Sequence, residues 1–250
     1  MTQAVVPEAE VAIRSPQEKE DLLTFPEYLE YEGEPDVIYE LVRGKLIPMS
    51  ALTIEQIKIC EFLIYNLQRY FADKNLSLVA KKTVGVRTED NSARIPDALV
   101  CSQSLWEGVG NRPGAGVLDF DEKPIVVVEI VSSDRRDDYV SKRHEYEVAE
   151  VPEYWIVDPK KKLVRVFANP SQEEGYSFVD FTEDASISSG QFEGLVLSVK
   201  ELLDPPLVEG LIKEEKAKIK TLEERAETER QRAERLAQRL LEMGVNPDEI

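Results

Sequence analysis

Three residues have the types and spacing of a hydrolytic site that works with a divalent cation: Asp97, Glu129 and Lys142. Asp97 follows Pro96 at the start of one apolar run, and Glu129 lies inside another, residues 125–131. If these runs form neighbouring strands, both carboxylates reach one place, and Mg²⁺ prefers such oxygen ligands. A bound cation would stabilise charge on a phosphate and lower the pKa of an attacking water, while the lysine steadies the nucleophile or the transition state. The predicted chemistry is phosphodiester hydrolysis.

Glu129 is the most informative of the three because its surroundings are apolar. Its run is short, rich in β-branched residues and bounded by Pro124 and a polar stretch, which favours a buried strand. Side chains alternate along a strand, so Val127, Glu129 and Val131 share one face. An ionised carboxylate is costly there unless it is paired or binds a metal. A salt bridge with a buried arginine or lysine would explain the pattern equally well, and both interpretations stay open.

The elements around these residues predict a mixed α/β sandwich. A hairpin is predicted at 37–48, and an amphipathic helix at 52–72 because its apolar residues recur at three- and four-residue steps. A polar helix is predicted at 134–149, with Tyr139, Lys142, Tyr146 and Ala149 turned inward. The glycine-containing segment 103–123 is predicted to be a surface loop. The remaining predicted strands are 76–81, 83–88, 94–101, 125–131, 153–158, 163–168, 176–182 and 191–197.

The segment after residue 207 follows a seven-residue pattern. Its a positions are Ile212, Ile219, Ala226, Ala233 and Leu240, and its d positions are Glu215, Leu222, Glu229, Leu236 and Met243. The pattern predicts a short coiled coil, with a lone charged helix held by (i, i+4) pairs as the alternative. The expected organisation is a disordered N-terminus at 1–15, an α/β domain at 16–207, a coiled-coil helix at 208–245 and a tail at 246–250.

The charge of the chain limits what it can bind. The formal net charge is −18 over 250 residues. From Glu209 onward, nine lysines and arginines stand against eleven acids, which leaves −16 on residues 1–208. Binding to phosphate backbones usually shows as a basic surface, so a nucleic-acid site here must be a local basic patch or depend on bound cations.

The sequence carries no sign of a membrane or disulfide-bonded protein. Cys60 and Cys101 offer neither a disulfide framework nor metal-ligand spacing and are expected to be reduced. No stretch approaches the ~18 to 20 apolar residues of a membrane span. The start lacks the basic and apolar regions of a signal peptide. We therefore expect a cytoplasmic protein with no membrane partner.

Several motifs together resemble a known family. They are Tyr39 to Leu46, Pro96-Asp97, Val128 to Ser132, the set Asp138, Lys142 and Tyr146, and Val151 to Pro159. The set resembles the Uma-type restriction endonucleases of the PD-(D/E)XK nuclease superfamily over roughly residues 20–200. The resemblance implies a restriction-endonuclease-like fold, in which a mixed sheet is flanked by helices. It also implies Mg²⁺-dependent (or Mn²⁺-dependent) endonuclease hydrolysis of DNA phosphodiester bonds.

The resemblance assigns roles to particular residues. Metal coordination falls to Asp97 and Glu129, and the lysine role falls to Lys142. The usual superfamily pattern has the lysine two residues after the acid, where this chain has Val131. The Uma-type pattern supplies the lysine from the next helix, which Lys142 matches.

Two further candidates depart from this simple pattern. Glu40 is an additional acidic candidate by the same comparison, or a cross-strand partner of Arg43 or Lys45. Gln56 stands where relatives commonly carry a histidine near the start of the long helix. If that histidine assists catalysis, this chain is expected to be slow, altered or inactive.

The expected partners are a DNA substrate and a second copy of the chain. Arg135, Arg136 and Arg143 form, with Lys142, the basic cluster near the proposed site and are the candidate DNA contacts. A homodimer is expected through the body, the coiled coil or both, because duplex cleavage needs two cuts. Two alternatives remain: an inactive interaction protein with the same fold, and a hydrolase of RNA or smaller phosphodiesters.

Overall fold

The computed structural model describes residues 22–131, 135–171, 175–244 and 246, so the N-terminus predicted to be disordered lies outside the described residues. The helices are α1 (Phe25–Leu29), α2 (Ile54–Asp73), α3 (Gln103–Gly110), α4 (Arg143–Val148), α5 (Val199–Leu203) and α6 (Val208–Glu242), with a π-helical segment at Asp137–Lys142. The strands are β1 (Tyr39–Val42), β2 (Lys45–Pro48), β3 (Leu78–Lys81), β4 (Gly85–Glu89), β5 (Ser92–Arg94), β6 (Ala98–Ser102), β7 (Val117–Leu118), β8 (Val126–Ile130), β9 (Glu153–Asp158), β10 (Leu163–Ala168), β11 (Ser177–Thr182), β12 (Ser186–Ile187) and β13 (Leu197–Ser198).

The strands form two main sheets. The larger sheet has the order β11-β10-β9-β8-β6-β3, and the smaller has the order β2-β1-β5-β4-β7. In the larger sheet β8 and β9 are parallel, and the other neighbours are antiparallel. A parallel pair needs a crossover connection, usually helical. The π-helical segment and α4 form this crossover, which places Lys142 over the strand that carries Glu129.

The larger sheet has an apolar core on each face. On one face α2 packs through Ile59, Leu63 and Phe71 against Val128 and Trp155. On the other face a second cluster joins alternate strand residues to the crossover helix: Leu99, Val127, Val131, Tyr146 and Tyr154. Alternation therefore sends Val127 and Val131 to the same face, as the sequence predicts.

The predicted mixed α/β architecture with flanking helices is confirmed, but two local predictions are wrong. The segment 103–123 is not simply a loop, because it contains α3 and β7. The Ser102 hydroxyl accepts a hydrogen bond from the Leu105 backbone N–H at 3.2 Å and caps α3, whose apolar residues pack on the core. Of the segment 191–197, only Leu197 belongs to a strand. Phe192 and Leu195 are buried in the core, but the backbone around them is irregular.

The last helix differs from the rest of the molecule. α6 is a single helix of 35 residues in which no residue is buried, and it contacts α2. There the Tyr65 hydroxyl donates to Glu215 Oε2 at 3.1 Å. The helix predicted after residue 207 is therefore present. In the described part of the chain, no helix is long and apolar enough to cross a membrane.

Candidate active site

The two predicted acids come from neighbouring strands. β6 and β8 are antiparallel partners in which Ala98 lies opposite Val128. Asp97 directly precedes β6, and Glu129 lies on β8. The Ile130 backbone N–H donates to Asp97 Oδ2 at 2.6 Å, which fixes the Asp97 carboxylate against the strand of Glu129. β6 and β8 are therefore neighbouring strands, the condition under which the sequence brings the two acids to one place.

Lys142 meets Glu129 from the crossover helix. Its Nζ donates to Glu129 Oε1 at 3.0 Å, and the Tyr146 hydroxyl donates to the same oxygen at 3.1 Å. Only 3% of Glu129 and 8% of Lys142 are exposed, so water screens this ion pair weakly. The buried salt bridge that the sequence left open is therefore present, and it involves the lysine of the candidate site.

Lys142 lies at the end of a π-helical segment, which is wider than an α-helix. The π-helical segment Asp137–Lys142 carries two buried polar side chains, Asp138 and Lys142, four residues apart. The Asp138 carbonyl accepts a hydrogen bond from the Tyr154 hydroxyl at 2.8 Å, which anchors this turn to β9. Short π-helical segments are rare and frequently occur at functional sites.

Glu40 belongs to the site through its partners. Its Oε1 accepts the Ile95 backbone N–H at 2.9 Å and lies 3.5 Å from Lys142 Nζ. Its Oε2 accepts Arg94 Nη1 at 3.0 Å. Arg43, one of its two predicted partners, is paired with Glu89 instead. Glu40 is thus a second acidic partner of Lys142, beside Glu129.

Arg94 is the residue that the sequence analysis missed. Its guanidinium donates to both Glu145 oxygens at 2.7 and 2.6 Å and also reaches Asp137 at 3.3 Å. Its side chain is 5% exposed, so the arginine is a buried hub that ties Glu40 to the crossover helix. A charged residue in the predicted apolar strand at 94–101 was the available signal.

Burial and crowding of acids shift the pKa values of the site. Burial raises the pKa of Asp97 to about 6, with Asp138 and Glu40 adding to the shift, while the Ile130 N–H and Lys142 oppose it. Burial also raises the pKa of Glu129 well above its ordinary value. Burial opposes the charge on Lys142, but Glu129 and Glu40 outweigh it and raise the pKa of the lysine. Lys142 is therefore an ammonium at neutral pH.

Asp97 and Glu129 lie close to other acids, and a divalent cation between them would offset the negative charge. Asp97 and Glu129 each use one oxygen for the hydrogen bonds above. No described residue donates a hydrogen bond to Asp97 Oδ1 or Glu129 Oε2, so each carboxylate keeps one oxygen for a cation. Among the described residues no three Asp, Glu, His or Cys side chains make a complete metal cage. Mg²⁺ commonly binds through one or two carboxylates with water and substrate phosphate, which suits this pair.

Comparison with known proteins identifies the family of this chain. Residues 25–200 match the family model Uma2, described as "Putative restriction endonuclease". The chain belongs to this family. No curated protein matches this chain. A crystal structure titled as a "putative nuclease belonging to DUF820", from Anabaena variabilis, matches with a TM-score of 0.56 at 22% identity, over 73% of this chain and 98% of that one. That likeness shows a shared fold.

The remaining candidates of this Uma2 protein have structural partners. Gln56 donates to the Ile130 carbonyl at 3.3 Å, and its Oε1 accepts the backbone N–H of the helix-capping residue Thr53 at 2.9 Å. Arg135 forms an ion pair with Asp158. In the basic cluster, Arg143 forms an ion pair with Glu147 at 3.0 Å. Arg136 is exposed to solvent.

Proposed function

We propose that this Uma2 protein is a Mg²⁺-dependent (or Mn²⁺-dependent) endonuclease that hydrolyses DNA phosphodiester bonds at Asp97, Glu129 and Lys142. The observation that carries the proposal is the meeting of Asp97 and Glu129, each with one oxygen to which no described residue donates a hydrogen bond, beside a buried ammonium group. Membership of a restriction-endonuclease-like family supports the same reaction class.

Each residue has a definite task in this proposal. Asp97 and Glu129 would hold the cation, which when bound stabilises phosphate charge and activates water. Lys142 carries a positive charge, so it serves as a hydrogen-bond donor to the phosphate or the nucleophile rather than as a general base. Tyr146 and Glu40 position it: the first shares its acceptor oxygen, and the second contacts its Nζ.

The proposal is tested by nicking of supercoiled plasmid. We expect nicking by the wild-type protein in Mg²⁺, its loss on chelation, and its loss in Glu129→Gln, because a neutral amide is a poor partner for the cation. Glu61→Gln, an exposed acid on α2, serves as the control and should nick normally. Nicking that persists in Glu129→Gln would remove the site from the reaction.

The acidic charge of the body favours one alternative class of substrate, RNA or a smaller phosphodiester. A net charge of −16 on residues 1–208 disfavours a long DNA backbone, whereas RNA or a smaller phosphodiester needs fewer basic contacts. The same variants tested on RNA and on bis(p-nitrophenyl) phosphate separate these substrates. Activity on neither these nor DNA would favour the inactive interaction protein.

Magnesium is expected to raise the melting temperature above pH 6 and to lose this effect below it. Burial raises the pKa of Asp97 to about 6, so a proton competes with the cation below that value. Without Mg²⁺, the difference between the folded and unfolded pKa values of Asp97 sets how stability changes with pH. The folded carboxyl binds a proton more tightly than the unfolded one, so its contribution to stability falls as pH rises toward 6.

Thermal melting across this pH range, with and without Mg²⁺, measures both effects. Asp97→Asn is the matched control and should lose the Mg²⁺ effect above pH 6. An equal stabilisation by Mg²⁺ above and below pH 6 would show that Asp97 does not titrate with the bound ion.

We also propose that α6 pairs two copies of the chain as a coiled coil. In this organisation residues 16–207 form the nuclease domain, 208–245 the coiled-coil helix and 246–250 the tail. The seam side chains with large exposed apolar surfaces are Ile212, Ile219, Leu222, Leu236 and Met243. The d-position acid Glu229 precedes Arg230 at an e position. In a parallel pair a d side chain packs beside the partner's e residue, so acid and base would meet. An antiparallel pair would instead bring together the basic g residues: Lys218, Arg225, Arg232 and Arg239.

Leu222→Asp is expected to convert the dimer to a monomer, because it buries a charge in the proposed seam. Sedimentation velocity measures the change. Thr221→Asp, one position away and exposed on the outer face, is the control and should remain dimeric. A dimer that survives Leu222→Asp would locate the interface in the body.

A further inference from the structure

An apolar cleft opens beside Asp97. Its volume is about 340 Å³, and Asp97 forms part of its wall. Most of the other walls come from the segment before β1, the loop between β2 and α2 and the segment before β6. Its apolar lining residues include Val37, Ile38, Met49, Leu52, Ile95 and Pro96. The mechanism proposed above uses none of them.

The cleft is open rather than filled by the protein's own core. Ile38 is 43% exposed and Leu52 is 40% exposed, so this apolar surface stays in contact with water. Clustered apolar surface of this kind marks a binding site more often than scattered single residues do. Two lining residues, Asp36 and Thr83, have positive φ angles of 64° and 62°. For a β-branched threonine this is a strained conformation, and such strain concentrates at ligand sites.

The rim of the cleft carries one cation. Lys82 is exposed, lines the cleft and forms no ion pair with any described residue. Its neighbour Lys81 instead lies over the Trp106 ring at 4.8 Å. In a molecule as acidic as this one, a free ammonium beside an apolar pocket matches a ligand with an apolar part and an anionic part.

A second cavity continues from the first. It has a volume of about 220 Å³ and shares Val37, Ile38, Thr83 and Ile95 with the cleft. Its walls include three tyrosines: Tyr28, Tyr31 and Tyr39. Tyr31 is 44% exposed and meets the Tyr39 ring edge-on at 5.8 Å. Aromatic rings at the side of a groove are the usual stacking partners of unpaired bases.

We propose that the cleft holds an unpaired nucleobase of the substrate, next to the phosphate that lies at Asp97. The inference rests on the proposed function, because that function places a phosphate at the neighbouring carboxylates. A base that is stacked and paired inside a duplex cannot enter a concave pocket without being extruded. The protein therefore prefers a single strand, or a nucleotide that is splayed out of a duplex, to intact duplex DNA.

Binding and cleavage of two matched oligonucleotides test the preference. One is a fluorescent single strand, and the other carries the same sequence inside a closed hairpin duplex. Affinity is measured by fluorescence anisotropy in Ca²⁺, with strand integrity checked on a gel, and cleavage is then measured in Mg²⁺. We expect the full-length protein to bind the single strand at least about tenfold more tightly.

Two substitutions locate the effect. Ala51 lines the cleft and is exposed, so Ala51→Trp fills the cleft without disturbing the core. It should weaken binding of the single strand by about tenfold and leave the duplex unchanged. Ile54→Trp is the control, because Ile54 is 69% exposed and does not line the cleft. Lys82→Ala should weaken single-strand binding and reduce its salt dependence.

Each other outcome has a distinct meaning. Equal affinity for both oligonucleotides, or single-strand binding that Ala51→Trp leaves unchanged, overturns the inference even if cleavage is observed. If Ala51→Trp alters sedimentation but not binding, the cleft is an interface between copies. Preferential binding that depends on Ala51 without any cleavage in Mg²⁺ supports the base pocket and overturns the proposed endonuclease.

Discussion

Lys142→Ala is expected to reduce DNA cleavage by about a hundredfold to a thousandfold, because it removes the ammonium group that contacts Glu129 and Glu40. Stability should fall as well. The lysine is buried between Glu129 and Glu40, and breaking a buried pair typically costs about 3–5 kcal/mol. Single-turnover cleavage and urea unfolding measure the two losses separately.

A double variant separates the catalytic loss from the structural one. Lys142→Met combined with Glu129→Gln removes both charges and nearly keeps the volume, so stability should return toward that of the wild type. Cleavage should remain absent. If the double variant regained cleavage together with stability, Lys142 would be a structural residue only.

Arg94→Met is expected to lower the free energy of unfolding by about 3–5 kcal/mol, a loss as large as that expected for Lys142→Ala. The arginine carries the charge that compensates Glu40, Glu145 and Asp137 inside the protein. Its loss leaves the buried Glu145 carboxylate without the cation that pairs with it. Urea unfolding at neutral pH measures the loss.

A second arginine provides a matched control. Arg165 also grips a carboxylate with two nitrogens, at 2.6 and 2.7 Å from Asp180, but its side chain is 26% exposed against 5% for Arg94. Water screens such a surface pair, so Arg165→Met should cost about 1 kcal/mol or less. Equal losses in the two variants would show that the hub around Arg94 does not depend on burial.

The central part of the site could be predicted from sequence because it follows from strand geometry. Alternation of side chains places Glu129 on the face that carries Val127 and Val131. The pairing of β6 with β8 then brings Asp97 to the same region. The position of Lys142 follows from the crossover connection that any parallel strand pair requires.

The rest could not be predicted, because it depends on contacts between distant segments. Arg94 meets Glu40 and Glu145 only through the pairing of β1 with β5 and the packing of the crossover helix. No periodic pattern in one sequence encodes such pairing. Likewise α3 has few apolar residues, and its helical state depends on the Ser102 cap and on packing against the core.

The cation site itself is tested most directly by diffraction from crystals soaked in Mn²⁺, recorded at a wavelength where manganese scatters anomalously. We predict one anomalous peak in contact with Asp97 Oδ1 and Glu129 Oε2, and no such peak in crystals of Asp97→Asn. The proposed cation site is contradicted if wild-type crystals show no peak there while Mn²⁺ supports cleavage, or if the peak persists when Asp97 is replaced.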